Sequence, residues 1–237
     1  IVVKSRTKVA KSFQNKTYCR TFVIKIKNMD DKRYLLGLIS QGEHNQQDFK
    51  YKVQDAAKLA RSVSAFANTD GGRLLIGVRD DGNISGVRSE EEIYMMHAAA
   101  YKYCKPESKI SFETFHADGR TVVIATIPPA LRKPVCALDD DGKHIAYVRI
   151  ADENIVASPV HLEIWRQEQM QQTVMHYTDT EQHLLTVMKE NPELTLNRLI
   201  RISRQGRHHV IGTLARLIRY GVADIKYEDT KFVFSLV

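Results

Sequence analysis

Three acidic residues stand where carboxylates could do chemistry together. Glu43 and Asp48 flank a short polar run leading into Phe49 and Lys50, and Asp80 follows the apolar segment Leu74-Leu75-Ile76-Gly77-Val78. Carboxylates converging at a strand end can hold Mg²⁺ or Mn²⁺, which would position a phosphodiester and activate water. Several acids are needed because one holds a hard divalent ion poorly, whereas neighbouring carboxylates repel one another without it. A plainer reading fits the same residues: Glu43 caps or solvates a loop, Asp48 sits exposed on a strand, and Asp80 makes a turn. A second group lies near the C-terminus, where Arg207, His208, His209, Thr213 and Arg216 fall off the apolar face of one helix. Arginine can take a guanine edge with two hydrogen bonds, and the others can contact bases or phosphates. A solvated, dimerising or protein-docking face would carry the same residues.

Residues 42–87 must position the acids. Val53, Ala56, Ala57, Ala60, Val63, Ser64 and Ala67 recur at helical spacing and are mostly small, so the helix axis can lie close to whatever it covers. Gly71-Gly72 ends that helix, because glycine adopts the left-handed backbone that other residues resist. Residues 74–78 are too apolar to have a wet face, which predicts a central strand. Asp80-Asp81-Gly82 then turns the chain, and 84–87 is expected to return as a hairpin partner. A P-loop needs G-x-x-x-x-G-K-[ST] running into a helix; here the glycines precede a strand, which excludes ATP hydrolysis by that device.

The run Glu43…Asp48-Phe49-Lys50, then Ser64-Ala65-Phe66-Ala67-Asn68-Thr69-Asp70-Gly71-Gly72 through Gly82, resembles the Schlafen-type AlbA domain, also described as a divergent AAA domain. The likeness extends over residues 34–158 and takes in Lys133-Pro134-Val135 and 142–149. It implies an α/β domain, of mixed-sheet α+β type, associated with nucleic acid. In the Schlafen ribonucleases three carboxylates of this motif form the active site. The matching positions here are Glu43, Asp48 and Asp80, with Mg or Mn as the implied metal. Asp48 is one methylene shorter than the glutamate usual in those nucleases. Lys50, beside the acids, is a candidate nucleic-acid contact. Where the family usually continues into a Gly-Ser-rich turn, this chain has Ile150-Ala151-Asp152-Glu153-Asn154.

The remaining chain sorts into further units. Residues 1–30 carry lysines and arginines with no acid before Asp30, and form either a phosphate-reaching arm or a poorly ordered extension. A short helix is expected over 31–40. A capping box at Ser89–Glu92 should open a helix reaching about residue 103, and 109–127 reads as a hairpin around Ala117-Asp118-Gly119. Residues 158–177 read as a connecting helix. A second capping box at Thr178–Glu181 begins three helices and a hairpin, and Leu214-x-x-Leu217-x-x-x-Gly221 closes the third helix. That order resembles a small winged helix-turn-helix domain. The expected domains are therefore 1–30, 31–157, 158–177 and 178–237.

Composition bounds the partners. The 237 residues are 43% apolar, with net charge +7 and pI about 9.2, which favours polyanions. Cys19, Cys104 and Cys136 have no metal-knuckle spacing and fit a reducing cytoplasm. No apolar run reaches membrane-spanning length, so no membrane partner is expected. Three functions follow: a DNA-binding transcriptional regulator, with a homodimer as one arrangement; a divalent-metal endoribonuclease using Glu43, Asp48 and Asp80; or a protein-interaction module. DNA or RNA is the expected partner of the first two.

Overall fold

The structure is a computed structural model describing residues 30–87, 90–139, 141–170 and 178–237. The basic extension, the Ser89 cap and the far end of the connecting helix lie outside these residues.

Helix α1 (Asp30–Ile39) precedes β1 (Gln47–Lys50), α2 (Ala56–Asn68) and β2 (Gly72–Ile76). Then come α3 (Glu91–Tyr101), β3 (Cys104–Lys105), β4 (Ser111–Ala117) and β5 (Arg120–Ile127). Strands β6 (Cys136–Leu138), β7 (His144–Ile150) and β8 (Glu153–Val156) complete this half. One sheet has the order β1-β2-β5-β4, with β1 and β2 parallel and the other pairs antiparallel. A second runs β3-β6-β7-β8.

Strand β2 is interior, as its composition requires. Leu74 and Ile76 pack with α2 residues on one face, and Leu75 packs with Leu35 and Leu38 of α1 on the other. With both faces covered, nothing selects for polar alternation. The expected partner strand at 84–87 is reduced to a single bridge, Val78 to Ile84.

Helix α2 is buried almost all round, because it packs against strands of both sheets and against α3. Its polar residues must therefore find internal partners. Ser64 Oγ donates to Val135 O at 2.7 Å and accepts the Tyr147 N–H at 3.1 Å. Asn68 Nδ2 donates to Val135 O at 2.8 Å and Tyr147 O at 2.9 Å, while its Oδ1 accepts the Val135 N–H at 2.7 Å. The Asn68 amide thus meets Val135 as a neighbouring strand would, and S-A-F-A-N is a latch holding the helix to the second sheet. Gly72 explains the glycine pair on its other side. A Cβ there would stand 2.3 Å from Phe66 Cδ1, inside the ring's own volume.

The C-terminal part contains α4 (Pro159–Glu168), α5 (Asp179–Glu190), β9 (Leu194–Thr195), α6 (Leu196–Ser203) and α7 (Arg207–Arg219), followed by β10 (Ala223–Glu228) and β11 (Lys231–Leu236). Helix α4 ends at Glu168, shorter than the 158–177 expected, and it is more than a connector. Val160 is buried in the cluster of Leu184, Leu199, Val210 and Leu214, whereas Trp165 packs with Ala146, Val148 and Ala157. At Thr178 the expected cap forms, its N–H donating to Glu181 Oε2 at 2.9 Å. The short β9 is an addition to the expected elements and gives the sheet order β10-β11-β9. No described helix is long and apolar enough to cross a membrane.

Candidate functional site

Glu43 sits just before β1, an edge strand whose outward N–H groups have no neighbouring strand to bind. Its Oε1 accepts the Phe49 N–H at 2.7 Å, which satisfies one of them. Asp48 is in register with Leu74 and turns toward the same covered face. It is 4% exposed, against the expectation of an exposed strand residue. Its Oδ2 lies 2.6 Å from Lys50 Nζ, and its Oδ1 lies 3.5 Å from the Arg149 guanidinium.

Arg149 comes from β7 in the second sheet and is itself buried. It stands over the Phe66 ring at 5.1 Å, donates to Asn154 Oδ1 at 3.0 Å, and donates to Gln47 O at 3.3 Å. The residues replacing the Gly-Ser-rich turn thus supply, in Asn154, a group that orients this arginine. A buried ion left alone costs several kcal/mol, roughly, and Arg149 has Asp48 as its acidic partner among the described residues, so the arginine depends on the aspartate.

Burial pushes the Glu43 carboxyl above its ordinary range and Asp48 adds to this, opposed by the Phe49 amide and Lys50. Asp80 is exposed, past the end of β2, in the turn where Asp81 Oδ1 accepts the Asn83 N–H. Among the described residues no three His, Cys, Asp or Glu side chains are grouped to hold a metal ion. The expected three-carboxylate set is therefore a pair. Strand alternation turns Asp48 inward, whereas Asp80 follows its strand out to solvent. Nor does the pair fit Mg²⁺ or Mn²⁺, since both Asp48 oxygens already face protein cations.

Lys50 has its ammonium on Asp48 and on Phe49 O at 2.9 Å, so it is not free for phosphate. With Lys52 and Lys58 it lines a shallow hollow of about 270 Å³ at the start of α2. The α2 amides there are taken, because Asp55 Oδ1 accepts the N–H groups of Ala57 and Lys58.

The C-terminal candidates divide. Arg207, His208 and His209 are exposed at the N-terminal end of α7, and Arg207 donates to Asn197 Oδ1 at 3.2 Å. Thr213 is 1% exposed and cannot touch a nucleic acid: with Val210, Leu214 and Leu217 it lies on the stripe that faces the core. Arg216 binds Glu181 Oε1 at 2.6 Å, so its charge is committed to α5. Sequence reasoning passed over Arg198 and Arg201 on α6 and Arg204 at its C-cap, all exposed. Their signal was available, since no acid occurs between Glu193 and Asp224.

Residues 43–158 match the family model for the Schlafen AlbA_2 domain. No curated protein matches the chain. Among solved structures, the DIP2311 protein of Corynebacterium diphtheriae is similar at 16% identity and TM-score 0.40, over 80% of this chain and 34% of that one. This chain therefore spans about a third of that protein's length. The N-terminal domain of a RecG-related protein from Nitrosomonas europaea is similar at 18% identity and TM-score 0.36, over 62% of this chain and 96% of that domain. With the mixed sheet, the α2 latch and the paired glycines in place, residues 43–158 are a Schlafen AlbA_2 domain.

Proposed function

We propose that the protein is a cytoplasmic nucleic-acid-binding protein, acting as a DNA-binding transcriptional regulator whose residues 178–237 form a winged helix-turn-helix. The observation that carries this reading is the exposed Arg207-His208-His209 at the start of α7, within a module of three helices and a hairpin. That is the end of a recognition helix that meets base edges in the major groove. The AlbA_2 domain supports the nucleic-acid reading through the association its family implies. A homodimer would suit such a regulator, because paired modules read paired half-sites. The ribonuclease reading is weaker, since Asp48 is neutralised from within and no three acids are grouped to hold a metal among the described residues.

The test incubates the full chain with labelled duplex DNA and structured RNA, with and without Mn²⁺. The expected result is a duplex DNA shift that weakens with salt, and no cutting. Metal-dependent cutting that disappears in Glu43→Gln or Asp48→Asn would restore the ribonuclease reading. Absence of any shift would leave the protein-interaction reading.

A further inference from the structure

The arginines of the C-terminal module are spaced in a way the proposed base-reading helix does not use. Arg198, Arg201, Arg204 and Arg207 recur at every third position, and all four are exposed. Arg198 and Arg201 lie on α6, Arg204 takes its left-handed C-cap with φ 54°, and Arg207 opens α7. They therefore run from one helix, through the turn, onto the next. Arg207 touches a neutral amide, that of Asn197, and no described acid forms an ion pair with Arg198, Arg201 or Arg204. Arg216, by contrast, is spent on Glu181. No side chain caps the first turn of α7, which leaves the positive end of that helix beside the same strip.

The rest of the module points away from a polyanion. The β10–β11 hairpin turns at Asp229 and Thr230, both with positive φ, and places Glu228 and Asp229 exposed at its tip. Asp224 is exposed on the same hairpin. Lys226 and Lys231 flank this tip, so the hairpin carries three acids against two lysines and is a weaker phosphate grip than the arginine strip. The strip is also unsuited to other anionic surfaces. Its apolar neighbours Leu199, Ile200 and Ile202 belong to the core, so nothing inserts into lipid. No Phe, Trp or Tyr occurs between Leu194 and Arg219, so the strip itself carries no large aromatic ring for stacking unpaired bases.

We propose that Arg198, Arg201 and Arg204 form a backbone clamp for duplex DNA, gripping phosphates beside the groove that α7 enters while the acidic hairpin stays off the duplex. This rests on the DNA-binding reading and adds the gripping element and the orientation of the module. Counterion release then sets the energetics: each phosphate contact contributes about 0.9 to the slope of log affinity against log salt.

The experiment measures fluorescence anisotropy of a labelled duplex with the full chain across a salt series. One variant combines Arg198→Gln, Arg201→Gln and Arg204→Asn, which puts uncharged, helix-compatible side chains on α6 and uses asparagine where the backbone is left-handed. The other reverses the hairpin tip, Glu228→Lys with Asp229→Lys. Circular dichroism melts confirm that both variants fold. The expected result is a loss of about tenfold or more for the arginine variant near physiological salt, with the slope shallower by about 2.7. The tip variant should bind within about twofold of wild type on the same scale. A wild-type affinity and slope in the arginine variant, with wild type binding normally, would overturn the clamp and leave the DNA reading standing. A tip variant that binds much more tightly and more salt-dependently would put the hairpin on the phosphates and overturn the orientation. Failure of wild type to bind duplex at all would overturn clamp and DNA reading together.

Discussion

The two charged regions of this protein use their charges in opposite ways. At β1 the acids are answered from within: Asp48 by Arg149 and Lys50, and Glu43 by the Phe49 amide. On α6 and the start of α7 four arginines face solvent without an ion-pair partner among the described residues. Both regions are rich in residue types that do chemistry on nucleic acids. Compensation separates them, because a charge already paired has little left to offer a ligand, whereas an exposed unpaired one costs nothing to redirect. The first region holds two sheets together. The second is the region to which the proposed DNA-binding role assigns a polyanion.

The largest test of this contrast is removal of Arg149. Arg149→Met leaves the buried Asp48 carboxylate with Lys50 as its remaining cation, and should cost about 3 kcal/mol in urea unfolding. Adding Asp48→Leu should recover much of that loss, because a matched apolar pair replaces a matched ionic one. A stable single variant would mean that Asp48 is not closed off by this arginine. Comparable in size is Asn68→Ala, which orphans the Val135 N–H and the Tyr147 carbonyl while Ser64 still holds Val135 O and the Tyr147 N–H. Orphaned backbone groups in the core should cost about 3 kcal/mol, read from the same denaturant curves.

What was legible in the chain was what is decided locally. The apolar run at 74–78, the glycine pair and the hairpins at 111–127 and 223–236 formed as their residues required. Two features were hidden because they depend on partners distant in sequence. Asp48 faces inward to an arginine from β7, and Ser64 and Asn68 bond to strands near 135 and 147. Thr213 looked polar on paper, yet helical geometry places it among Val210, Leu214 and Leu217. Helix α4 looked like a linker because its polar far end masked the burial of Val160.

Smaller effects sharpen the contrast. Thr213 Oγ1 is buried without a hydrogen bond, so Thr213→Val should leave stability within about 1 kcal/mol and duplex binding unchanged. Weakened binding by the folded variant would show that α7 meets its ligand by a different face. Glu43→Gln should act through pH. The carboxyl titrates above its ordinary range, so in wild type its charge opposes folding once pH rises through the raised value. Glutamine keeps the acceptor for Phe49 and removes that charge. The variant should therefore melt higher than wild type at neutral pH, and the difference should vanish below the ordinary carboxylate range. A constant difference at all pH values would trace the effect to packing.

The most direct measurement sets the two regions side by side. Duplex DNA binding by the full chain is titrated for Glu43→Gln and Arg207→Gln against wild type, on a selected site and on random sequence. The expected result is wild-type binding for Glu43→Gln, and for Arg207→Gln a loss of about 1–3 kcal/mol on the selected site with relaxed preference at one base. The reverse order, with Glu43→Gln impaired and Arg207→Gln unaffected, would contradict the assignment and move the nucleic-acid site to the carboxylate pair.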